Sequence, residues 1–203
     1  MINRFRKIER ASPVTGLRPR GFTLIETLVA VLLLVMAIAG PLTVASRAFN
    51  NALVAKDQVT AYYLAQDALE YVRFRRDNAC LTSFMSDPTQ TCQASGVWLS
   101  AFGSSCTTAC KVDTIQNTIA PCVPSASTCT INYDSTNKRY VHTGGTASKF
   151  KRYVQIASGV NAPTTKEALV TVTVSWPTTA ATQSGCPTNT RCVVLKEYIY
   201  NWQ

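Results

Sequence analysis

One carboxylate, Glu26, stands near the head of an apolar run, RPRGFTLIETLVAVLLLVMAIAG, residues 18–40. A charge placed in hydrocarbon costs roughly 2.5–3.5 kcal/mol by insertion scales, so such a residue marks a functional partner by default. The other residues able to do chemistry are eight cysteines, Cys80, Cys92, Cys106, Cys110, Cys122, Cys129, Cys186 and Cys192, and a single histidine, His142. Close C-x-x-C pairs and added histidines, the usual signs of zinc, are missing, and the even count beyond the apolar run reads as disulfides formed in an oxidising compartment. Eight cysteines allow ~105 pairings, and only Cys186 to Cys192, across the turn CPTNTRC, is assigned by position. His142 lies in a strand-like run beside a Gly-Gly turn, with no second histidine to serve as a base. There is no P-loop and no dinucleotide turn, so the chain reads as a structural protein without a cofactor or metal, not as an enzyme.

These residues are positioned by a plain order of elements. Arg4, Arg6, Lys7, Arg10, Arg18 and Arg20 against Glu9 put more than half of the +9 net charge into residues 1–21, a segment also broken by Pro13, Gly16 and Pro19. Such a concentration weakens any inference from overall basicity to nucleic acid, because the excess sits in one short arm. From Phe22 to Ala45 the chain is long enough, at ~1.5 Å per residue, to cross the ~30 Å hydrocarbon layer. Basic residues before this span predict a single pass with the N-terminus in the cytoplasm, and the cysteines on the far side.

Helical spacing continues after the span, with one apolar set at Ala48, Ala52, Ala55, Val59 and Tyr62 and another at Ala61, Leu64, Ala65, Ala68 and Val72. A single helix from Phe22 to Asp77 is expected, kinked at Pro41, where the ring displaces a carbonyl and removes a donor. Residues 79–129 are rich in Ser, Thr and Cys and read as disulfide-held loops. The runs CTINY, KRYVH and FKRYVQIA follow, the last two joined across Thr143-Gly144-Gly145, and then ALVTVTVSW alternates Leu169, Thr171, Thr173 and Ser175 against Val170, Val172, Val174 and Trp176. With the closing run CVVLKEYIYNW these predict an antiparallel sheet covered by the helix. The fold class is α+β. The expected divisions are 1–21 leader, 22–45 membrane half of the helix, 46–78 amphipathic half, and 79–203 head, with 79–129 Cys-rich loops and 130–203 sheet.

The order Arg20-Gly21-Phe22-Thr23-Leu24-Ile25-Glu26 followed by an apolar helix resembles the recognition segment of type IV prepilins and type II secretion pseudopilins. LAQDALEYVR, within residues 61–78, is similar to the segment closing the long helix of minor pilins and pseudopilins, and VTVTVSW with a late strand resembles their C-terminal sheet. The resemblance implies cleavage by prepilin peptidase between Gly21 and Phe22, N-methylation of Phe22, and use of Glu26 to meet the terminal amine of a neighbouring subunit. It further implies other pilin subunits and an inner-membrane assembly platform as partners, and passage from the inner membrane to an extracellular pilus. A minor subunit is expected, with cell adhesion as a role for the variable loops; a type II secretion pseudopilin is the alternative.

Two competing readings attach to particular residues. Ala37-Ile38-Ala39-Gly40 has the small-x-small form of an ordinary signal-peptidase site, but the helical pattern runs through it. Arg73, Arg75, Arg76, Lys138, Arg139, Lys149, Lys151 and Arg152, with Tyr71, Tyr140 and Tyr153, could instead line a surface for single-stranded DNA in a pilin-like uptake subunit.

Overall fold

In the computed structural model the described residues are 21–87, 97–100, 102, 105–158, 166–178 and 182–201. The expected leader, apart from Gly21, and Cys92 lie outside them. The chain divides into two compact units, one ending at Asn50 and one beginning at Asn51. A single helix, α1, runs from Leu24 to Ser86. It therefore continues past the end expected at Asp77, because no Gly or Pro interrupts the chain before Asp87-Pro88, and Cys80 falls inside the helix.

In the first unit the described residues of α1 expose every side chain, Leu28, Val31, Leu32 and Val35 among them. By length and composition this helix can cross a membrane.

The second unit is an antiparallel seven-stranded sheet with the second half of α1 packed on it. Two short helices, α2 (Val97–Ser100) and α3 (Ser105–Thr108), precede the strands. These are β1 (Cys110–Asp113), β2 (Thr118–Pro121), β3 (Thr130–Asp134), β4 (Arg139–Val141), β5 (Thr146–Ser158), β6 (Glu167–Pro177) and β7 (Thr190–Tyr200). Of the two apolar sets on α1, Ala61, Leu64, Ala65, Ala68 and Val72 are buried against the sheet, while Ala48, Ala52, Ala55, Val59 and Tyr62 stay exposed. Ala61, Ala65 and Ala68 share one core with Val154, Val170, Val172 and Val174, all fully buried.

Three features depart from the sequence reading. The Cys-rich region contributes a hairpin to the sheet, β1 pairing β2 from Cys110↔Pro121 to Asp113↔Thr118, and weak periodicity hid these four-residue strands. The runs joined by Gly144-Gly145 are not neighbours: β4 and β5 both pair with β3, one on each side. The polar face of β6 is not wholly solvated, since Thr173 and Ser175 are buried as well as Val172, Val174 and Trp176.

Candidate functional site

Gly21 and Phe22 lie just ahead of α1, outside any helix or strand, and Phe22 is 76% exposed. A Cβ built at Gly21 would meet nothing within 4 Å, so the chain's own packing places no demand for glycine there. Thr23 is the residue preceding the first helical position, and its Oγ1 accepts a hydrogen bond from the Glu26 backbone N–H at 3.3 Å. Together Thr23 and Glu26 have the T-x-x-E spacing of a capping box, in which the first hydroxyl satisfies an otherwise orphaned helix donor. The sequence reading passed over this motif, although the spacing was there to see. Among the described residues the Glu26 carboxylate has no hydrogen-bond or ion-pair partner, and it stands at the positive end of the helix dipole.

Further along α1, Gly40 and Pro41 lie within the helix, and Thr43 Oγ1 donates to the Gly40 carbonyl at 2.7 Å. The small-x-small stretch Ala37 to Gly40 is helical throughout. Ordinary signal peptidase needs an extended substrate, so its proposed site would first have to be unwound.

In the head, most of the basic residues considered for DNA are already engaged. Arg152 is 4% exposed and Tyr71 is also buried, so neither belongs to a surface. Arg73 forms a bidentate pair with Glu197, Nε to Oε1 at 3.0 Å and Nη2 to Oε2 at 2.6 Å, which holds its pKa above the ordinary guanidinium value. Lys149 Nζ meets Asp57 at 2.6 Å, and Arg75 Nη1 donates to Asn117 Oδ1 at 3.4 Å. These charges join α1 to the sheet or to the β1–β2 turn and do not form a continuous basic stripe.

The cysteines bridge locally. Cys106 is bonded to Cys110, Cys122 to Cys129, and Cys186 to Cys192, and Cys80 is also in a disulfide. The first bridge ties α3 to the start of β1; the other two close short loops at the sheet's end. His142 is half-buried, and burial, reinforced by the nearby Arg152 cation, lowers its pKa to about 4. A neutral, enclosed imidazole of this kind is a packing residue at physiological pH.

Residues 17–40 match the family model described as the prokaryotic N-terminal methylation motif. Comparison with curated proteins and with solved structures found no match. The matched span contains Gly21, Phe22, Thr23 and Glu26 and ends at Gly40, so it supports a type IV prepilin-like chain on the same residues that carry the geometry above.

Proposed function

We propose that this chain is a type IV prepilin whose mature form is a minor subunit of a pilus filament. The observation that carries the reading is the junction at Gly21-Phe22, exposed and unhelical, with Glu26, unpartnered among the described residues, in the first turn of an apolar helix. Prepilin peptidase cleaves after Gly21, and the new α-ammonium of Phe22 is methylated. That cation stands at a helix N-terminus, where the macrodipole disfavours it, and the Glu26 carboxylate of an adjacent subunit offsets the cost. Buried ion pairs contribute little net stability, but they can specify register, which a helical stack of identical rods needs.

The two stripes on α1 fit the same role. One is consumed by the sheet of its own head, and the other, with Val59 and Tyr62, is left for neighbouring subunits. Pro41 removes a helix donor and loosens the turn between the anchored and the head-proximal halves. In this scheme the N-terminus begins in the cytoplasm, the inner-membrane assembly platform extracts the subunit, and the head ends outside the cell. A secretion pseudopilin shares the cleavage, methylation and extraction steps and differs in the filament it joins and in where its head ends.

The capping geometry makes a clean experiment available. Glu26→Gln keeps a capping-competent amide but removes the charge, whereas Glu26→Ala removes both. If charge docks the subunit, both variants are processed normally yet fall out of sheared filaments; filament entry by Glu26→Gln at the parent level would assign Glu26 to helix initiation instead. The proportion of the parent chain in sheared material, read by quantitative mass spectrometry, separates a minor from a major subunit.

A further inference from the structure

We propose that the head binds a small hydroxylated carboxylate, of the uronic-acid class, in a cavity framed by the Cys122–Cys129 and Cys186–Cys192 loops, with Lys151 recognising the carboxylate. The cavity has a volume of about 580 Å³, within the range of small-molecule sites, and it is independent of the N-terminal motif.

Its position follows from strand register. Lys151 on β5 pairs with Ser175 on β6, which pairs with Cys192 on β7, so these three side chains share one face of the sheet. The adjacent Arg152 reaches the Leu64 carbonyl and Asp67 on α1, so the face bearing Lys151 and Ser175 is turned away from the helix. Pro124 and Ser125 of one disulfide loop and Thr188 and Asn189 of the other line its walls. Bridges on both sides limit how far the walls can move, so the cavity exists before any ligand arrives.

The lining specifies the ligand's chemistry. Among the described residues no acidic side chain lines it, which excludes a cation, and two lysines do. Lys149 is neutralised by Asp57 at 2.6 Å. Among the described residues Lys151 Nζ reaches only the Ser125 carbonyl at 3.5 Å, the outer limit of a hydrogen bond, and keeps its charge for a guest. One unpaired cation among the described lining residues suits a single carboxylate. Beneath it the residue Ser175 is 3% exposed, and its hydroxyl, which makes no hydrogen bond among the described residues, keeps access to the cavity. A ligand hydroxyl or carboxylate oxygen entering the cavity would find that hydroxyl ready to hydrogen-bond. The hydroxyls of Thr188 and Ser125 and the amide of Asn189 supply further partners at the mouth.

The test uses the full chain in detergent micelles, titrated with D-glucuronate, D-glucose and acetate by isothermal calorimetry or ligand-observed NMR. Glucuronate is expected to bind saturably, with glucose and acetate each about tenfold weaker or more, since each lacks one of the two recognition elements. Lys151→Met should weaken glucuronate by about tenfold, Lys151→Arg should restore most of it, and Ser175→Ala should weaken it several-fold. Lys196→Met, on the exposed edge strand, should change nothing. Unaltered thermal unfolding of each variant keeps loss of binding distinct from loss of fold. Equal binding of glucuronate and glucose, equal binding of glucuronate and acetate, indifference to Lys151→Met, or no saturable binding at millimolar ligand would each overturn the proposal.

Discussion

Arg152 Nη1 donates to Asp67 Oδ2 at 2.6 Å, joining the centre of β5 to the helix that covers it. The same guanidinium donates to the Leu64 carbonyl and, through Nη2, to the Val112 carbonyl, each at 2.9 Å. One buried side chain thus ties together helix, central strand and the β1–β2 hairpin. Its partner is half in water, with 47% of the Asp67 side chain exposed against 4% for Arg152.

That asymmetry predicts unequal costs. Asp67→Ala leaves a buried guanidinium with only carbonyl partners and should cost about 2–3 kcal/mol, since an uncompensated buried charge is the expensive half of a broken pair. Arg152→Met leaves a half-solvated carboxylate and takes a donor from the Leu64 and Val112 carbonyls, but it strands no buried charge and fills the space with apolar atoms, so a smaller loss of about 1–2 kcal/mol is expected. Denaturant unfolding of both variants checks the order; Arg152→Met being the more damaging would contradict it.

His142 predicts a pH dependence of stability. Its folded pKa of about 4 lies below the ordinary 6.5, so between these values the unfolded chain binds a proton that the folded chain does not. The contribution is fully present above pH 6.5 and is lost as the pH falls towards 4. Carboxylates titrate in the same window, so the test is the difference between the parent and His142→Gln, whose stability should fall less steeply from pH 6.5 to 4.5. Parallel curves would refute the assignment.

The Cys186–Cys192 bridge closes a loop of sequence separation 6, for which chain entropy gives a stabilisation of about 2 kcal/mol. Replacing both cysteines by serine should lower the unfolding midpoint accordingly. Peptide mapping without reduction should find the two thiols joined in the parent.

Gly145 has φ +69°, and a Cβ there would lie 2.7 Å from the Tyr133 carbonyl oxygen. Gly145→Ala meets both a left-handed backbone and a clash with main chain that cannot swing aside, for an expected loss of about 1–3 kcal/mol. Gly144→Ala has the same backbone sign but open space around it, so it should cost less, and comparison of their thermal unfolding checks the difference.

What could be read from the sequence was what is local in the chain. Gly21, Phe22 and Glu26 are contiguous with the run that gives them meaning, and β6 alternates within its own nine residues ALVTVTVSW. The buried stripe Ala61 to Val72 was legible because helical spacing names a face without naming what covers it. Arg152 was not legible: it meets Leu64 and Asp67 across separations of 88 and 85 residues, and in the sequence nothing sets it apart from the neighbouring Lys149 and Lys151. For the same reason the burial of Ser175 escaped a pattern that marks it polar and outward, because its cross-strand neighbours Lys151 and Cys192 are distant in sequence. The β1–β2 hairpin was too short for periodicity to register.

The claim on which the functional account rests is that the chain is cut between Gly21 and Phe22 and keeps its apolar helix. N-terminal mass spectrometry of the chain recovered from membrane or filament material tests it directly. The account predicts a mature protein that begins with N-methylated Phe22; a terminus at Gly40 or beyond, or an intact Met1 where the peptidase is active, would contradict it.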